Sequence, residues 1–259
     1  MSRRKKVAAP ATTHAAAATV RRPQVRIPGL DALRGAAICA MIVYHFAFDL
    51  NWYGALRADF NRDAGWLTFR AIIVSAFLLL VGISLVLAQR DRPNRLPSGA
   101  FWKRLGIISG CALLVTLASY VTFRPTFITF GILHCIAVSS LLAWPLVRYP
   151  LAAGIVGVVV IAMGVQVQIA AFDSRWLNWV GLMTHKPATE DYVPLFPWFG
   201  VVCLGIGAGG WLVAKKLAPL RAPSPVSPGW LQWLGRHSLL VYMVHQPILL
   251  GILRIVVPG

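Results

Sequence analysis

Apolar runs of about 20 residues recur along this chain, at about 30–50, 66–88, 104–123, 127–146, 151–171, 194–215 and 231–256. A helix of ~20 residues crosses a hydrocarbon core of about 30 Å. Backbone polar groups in lipid must be satisfied inside their own segment, which restricts spanning structures to helices and closed barrels. Runs this long and this continuous predict helices. The expected fold is therefore all-α, a polytopic transmembrane bundle of about seven spans. Composition agrees: 58% of residues are hydrophobic and 13% charged, where a soluble domain carries roughly a quarter. Mean hydropathy is +0.68.

A formal net charge of +17 suggests nucleic acid until the charges are placed. They cluster in "MSRRKK", "RRPQVR", "QRDRPNR" and "KRL", flanking apolar runs. That is the positive-inside pattern of a membrane protein, and no nucleic-acid partner is expected. Counting lysines and arginines by segment puts the N-terminus inside and the C-terminus outside, and basic flanks also favour anionic inner-leaflet lipid. Residues 1–26 carry no apolar periodicity and read as a disordered basic cytoplasmic tail ahead of one membrane domain, 27–259. The links "FRPT" and "VRYP" are short enough to make their flanking spans antiparallel neighbours. Trp52, Trp66, Trp176 and Trp179, in or beside the longer outer loops, suit an interfacial belt. Cys39, Cys111, Cys135 and Cys203 lie inside apolar runs without CxxC spacing. They read as small buried hydrophobes, and no metal site is expected.

The first span, "GLDALRGAAICAMIVYHFAFDL", carries Asp31, Arg34, His45 and Asp49. At about 100° and 1.5 Å per residue, Arg34 and His45 share a face and stand about 16 Å apart. All four groups fall within an arc of about 60°. A charge facing lipid at mid-bilayer costs at least ~2.5–3.5 kcal/mol, so the stripe should face an internal, wet cavity. Arg34 lies near the cytoplasmic mouth, where a guanidinium grips phosphate or carboxylate. His45 lies deeper and suits a general base. Asp49, one turn on, is placed to orient its ring.

The last span, "WLGRHSLLVYMVHQPILL", puts Ser238 and His245 on one face with Tyr242 one turn before the histidine. Pro247 is expected to kink this helix and free a carbonyl near Gln246. His245 sits at a depth comparable with His45, and His134 in "GILHCIAV" is a third chamber candidate. His237 reads as interfacial and His185 as solvated. "FGVVCLGIGAGG" has no strand before it and reads as close helix packing, not a dinucleotide loop.

"GLDALRGAAICAMIVYHF" resembles the first helix of membrane-bound acyltransferases, whose hallmark is an Arg and a His with ten residues between them, here Arg34 and His45. "LGRHSLLVYMVHQPIL" is similar to the terminal helix of the same superfamily. Within it, the short seven-helix layout and "GILHCIAV" look most like the bacterial family allied to the heparan-alpha-glucosaminide N-acetyltransferase catalytic domain. The resemblance implies an acyltransferase of the bacterial inner (plasma) membrane, moving an acyl group, most simply acetyl, from cytoplasmic acyl-CoA to a glycan or glycolipid amine or hydroxyl at the outer face. In that reading Arg34, Asp31, Arg104 and His134 hold acetyl-CoA or another acyl-CoA, while His45, Asp49 and His245 act on the acceptor. Tyr44, Ser238 and Tyr242 are candidates to stabilise the oxyanion. The resemblance would place a histidine in the loop after the first helix, and residues 51–65 contain none.

Two other classes compete. An intramembrane ionisable stripe also marks transport paths, although no internal repeat of the transporter kind is visible. Paired histidines on different spans also ligate haem, which leaves the Arg34 end of the stripe without a role.

Overall fold

Helix α1, Pro28–Trp52, starts with proline in its first turn, where a missing N–H costs nothing, and with Asp31 near its positive end. Ahead of α2, Ala64–Gln89, the Asp63 carboxylate accepts the Gly65 N–H at 2.8 Å. Ser98 caps α3, Gly99–Thr122, through the Phe101 N–H. The remaining helices are α4 (Ile132–Ala143), α5 (Pro150–Gln166), α6 (Leu195–Ala214), α7 (Gly229–Arg236) and α8 (Ser238–Val256). This computed structural model describes residues 27–90, 97–215 and 228–256. The expected N-terminal tail lies outside the described residues. Among those described, every regular element is helical.

Five helices, α1, α2, α3, α6 and α8, are long and apolar enough to cross a membrane. The fourth and fifth expected spans are shorter: α4 continues only as a 3-10 turn over Trp144–Arg148, and α5 ends at Gln166. The final expected span is two helices, because the chain breaks at His237 and restarts at Ser238. There the His237 ring nitrogen Nδ1 lies 2.9 Å from the Trp233 carbonyl, occupying an acceptor at the end of α7. Helix α8 runs through Pro247 without interruption.

The bundle is apolar outside as well as inside. Leu117 and Val121 of α3, Val158 of α5 and Ile255 of α8 are all more than half exposed, as lipid-facing residues are. Helix α6 is the hub, packing on α5 and α2. Its glycines make this possible. A Cβ on Gly205 would overlap the Leu79 carbonyl of α2, and one on Gly200 would sit 2.6 Å from the Gly157 carbonyl of α5. Both backbones come closer than any side chain would allow, as "FGVVCLGIGAGG" predicted. Ile38, Leu78, Val202 and Ile206 are fully buried. Cys135 and Cys203 are buried free thiols, while Cys39 and Cys111 are half-buried.

Two of the four expected belt tryptophans are packed instead. Trp66 lies against Phe60, centroids 4.4 Å apart, and Trp179 against Phe130 at 5.7 Å. Trp52 and Trp176 are exposed.

Candidate active site

Helix α1 presents its polar stripe to α2, α7 and α8. At its N-terminal end the Arg34 guanidinium donates to Asp31 Oδ1 at 2.9 Å and to Ser84 Oγ of α2 at 2.6 Å, and Ser84 donates on to the Leu80 carbonyl. Fixing two guanidinium donors leaves the fork oriented, not snorkelling. Arg104 of α3 lies within electrostatic reach of Arg34, so two cations share this end. Asp31 also meets α7 edge-on, since a Cβ on Gly235 would overlap its carbonyl oxygen.

Eleven residues further along α1, His45 meets His245 of α8, ring centroids 5.0 Å apart with planes at 63°. His245 Nδ1 lies 2.6 Å from the Tyr242 carbonyl. A carbonyl only accepts, so Nδ1 carries the hydrogen and Nε2 keeps its lone pair. That Nε2 is buried and unpartnered. The two histidines that sequence placed at one depth thus come into contact. The expected wet cavity does not open between them, because the rings pack on each other. Cavities of about 600 Å³ and 240 Å³ lie elsewhere, at the loop end, around Phe127, Arg175 and Asn178.

Asp49 does not orient His45. Its carboxylate is 3% exposed and accepts from Gln246 Nε2, at 2.8 Å to Oδ1 and 3.1 Å to Oδ2. A cross-helix amide has taken the place expected for the imidazole. His134 is engaged as well: the Gly131 N–H donates to its Nδ1 at 3.3 Å, and its Nε2 lies 3.3 Å from Thr116 Oγ1, which itself donates to the Ile128 carbonyl. Both ring nitrogens are used to fix the start of α4, which leaves none for an acyl-CoA. His185 is exposed, 3.5 Å from Asp173. Ser238 opens α8, and Tyr44 packs edge-on against His45 with centroids 5.8 Å apart.

Arg70 is absent from the sequence-based candidates, although an arginine inside an apolar run is itself a signal. Its charge acts on Tyr44 and on Asp191. Asp191, in the loop before α6, accepts the Ile132 N–H at 3.0 Å and so satisfies a free donor at the N-terminus of α4. Burial pushes its carboxyl above the ordinary carboxylate range, against the opposing pull of the Ile132 N–H, Arg70 and Lys186.

Residues 26–247 match the family described as heparan-alpha-glucosaminide N-acetyltransferase, catalytic. The chain belongs to that family. The match takes in every site residue named above, from Asp31 to Gln246. Membership of the heparan-alpha-glucosaminide N-acetyltransferase catalytic family implies an acetyltransferase, with acetyl-CoA as donor and a sugar amine as acceptor. No curated protein and no solved structure matches the chain.

Proposed function

We propose that this protein is an integral membrane acyltransferase, carrying an acetyl group from cytoplasmic acetyl-CoA to a sugar amine or hydroxyl at the outer face. The observation that carries this reading is the division of labour along α1. A clamped arginine stands at one end, and an imidazole pair with a free, buried Nε2 stands about 16 Å away on the same face. Arg34, with Arg104 beside it, suits the phosphates of CoA. The arm of the donor would run along the stripe and bring its thioester to the histidines. His245 Nε2 takes the proton of the acceptor group while that group's lone pair forms a bond to the acyl carbon. The C–S bond then breaks, the thiolate leaves and recovers the proton. His45, in ring contact with His245, supports the base from behind.

The positive-inside count supports an orientation with the N-terminus inside. That orientation puts the Arg34 end on the donor side. The haem reading is disfavoured by ring packing, since no macrocycle plane fits between imidazoles in direct contact.

Release of free thiol from acetyl-CoA by purified protein in detergent tests the proposal, for wild type and for His45→Ala and His245→Ala. Release by wild type that is lost in folded variants supports it. Failure of wild type to bind or turn over any acyl-CoA removes the donor, and substrate flux without acyl-CoA would establish the transporter alternative.

A further inference from the structure

The larger cavity at the loop end, about 600 Å³, is of a size that takes a small organic ligand. Tyr120, Phe127 and Trp179 give it aromatic walls, and Thr129 and Asn178 add a hydroxyl and an amide. Among the described residues, Arg175 is the one charged group that lines it. Its guanidinium stands 4.8 Å from the centroid of the Phe127 ring. Phe127 meets Tyr120 edge-on at 5.2 Å, and just outside the cavity Arg124 stands 5.5 Å from the Tyr120 centroid. Two arginines are thus mounted on adjoining rings. Stacking fixes the plane of a guanidinium and leaves its N–H edge free for an oxyanion. Among the described residues no carboxylate forms an ion pair with either arginine. The smaller cavity alongside does hold one, Asp173, whose oxygens accept from the Thr184 N–H at 2.8 Å and the Thr184 hydroxyl at 2.7 Å. An anion is therefore better placed in the larger cavity, away from that charge.

The surroundings of the cavity define the rest of the ligand. Leu113, Leu117, Tyr120 and Val121 of α3 follow one another at the spacing of a single helix face, and all four are exposed. That apolar, lipid-facing strip ends at the aromatic wall. Phe123, at the end of α3, meets Trp52 at the C-terminal end of α1 at 6.2 Å, so the cavity stands at the end of the bundle opposite Arg34. Exposed Trp52 and Trp176 mark headgroup level there.

We propose that this cavity binds an anionic lipid, its headgroup phosphate held by Arg175 with Arg124 beside it and its chain lying against the exposed face of α3. Arginine forks match phosphate oxygens in pairs. A cation would be repelled by the cavity's one charge, and a small soluble anion would leave its aromatic walls bare. The polar stripe of α1 contributes no wall. The site is thus separate from the histidine pair and does not depend on the acyl-transfer reading.

The test is titration calorimetry on full-length protein in nonionic detergent. Its three probes are dihexanoyl phosphatidylglycerol, dihexanoyl phosphatidylcholine, which has no net charge, and glycerol phosphate, which has no chains. Phosphatidylglycerol is expected to bind at least about tenfold tighter than either of the others. Arg175→Gln should remove most of that preference and Arg124→Gln a smaller part. Arg175→Lys, which keeps the charge without the planar fork, should retain some of it. Arg57→Gln alters an exposed arginine that lines neither cavity and should change nothing. Size-exclusion profiles check that each variant is folded. Equal affinity for the two lipids overturns the proposal, as does an Arg175→Gln protein that binds phosphatidylglycerol as wild type does. Glycerol phosphate bound as tightly as phosphatidylglycerol also overturns it, because that marks a plain anion site with no place for a chain.

Discussion

His245 holds its Nδ1 2.6 Å from the Tyr242 carbonyl and its ring 5.0 Å from that of His45. One backbone acceptor thereby decides which nitrogen of His245 can take a proton, and it is the one left buried and unpartnered. A general base contributes typically 10²–10⁴-fold. His245→Ala should lower acetyl transfer by about that factor with donor binding retained. His245→Gln, which fills the space without supplying a base, should be no better. Turnover and acetyl-CoA binding, measured on the same preparations, check this.

Arg34 is expected to act on the donor and not on the chemistry. Charge-assisted hydrogen bonds contribute about 1.5–3 kcal/mol. Arg34→Gln should weaken acetyl-CoA binding by roughly tenfold or more, while Ser84→Ala, which frees one guanidinium donor, should have a smaller effect in the same direction. Titration calorimetry with acetyl-CoA measures both.

His134 is expected to be structural. With both ring nitrogens spent on Gly131 and Thr116, His134→Ala should cost about 1 kcal/mol, as loss of a helix cap does. Donor affinity should stay unchanged. A thermal melt lowered by a few degrees with acetyl-CoA affinity intact is the predicted result.

Gly235 has no room for a side chain against the Asp31 carbonyl. Gly235→Ala should force α7 away from α1 and destabilise the protein by about 1–3 kcal/mol, as overpacking does. Gly229, with open space around it, should accept alanine. Size-exclusion profiles and melts of the two variants discriminate.

Asp191 gives the protein a pH-dependent component of stability. Its folded carboxyl titrates above its unfolded value of 3.8. The folded state therefore takes up this proton first as pH falls. Its contribution is complete below the unfolded pKa and is lost as pH rises through the raised folded one. Asp191→Asn keeps an acceptor for the Ile132 N–H and removes the titration. The melting temperature of wild type relative to Asp191→Asn should rise as pH is lowered toward the unfolded value of 3.8.

The five long apolar helices and the inward stripe on α1 were legible because hydropathy and the 3.6-residue period act within one segment. Partners across helices were not. Asp49 sits one turn from His45, so periodicity offers the imidazole as its neighbour, yet Gln246, 197 positions away, reaches it first. His134 resembles a chamber histidine in sequence, because nothing local reveals that Gly131 and Thr116 consume both its nitrogens. The break at His237 had a signal in "GRHS", a cap-like cluster inside an apolar stretch, which overall hydropathy hides. Arg70 was equally visible and needed only the rule that a charge in a span asks for a partner.

The Arg34 clamp and the histidine pair are carried by one uninterrupted helix. Eleven residues of hydrogen-bonded backbone neither stretch nor compress at ordinary cost, so the interval between them is set by the covalent geometry of the chain. Helix α1 is in this sense a gauge. On the acyl-transfer reading proposed above, a donor is admitted by the length of its arm as much as by its charge, and one whose thioester falls a turn short or a turn beyond would be held firmly and go unused.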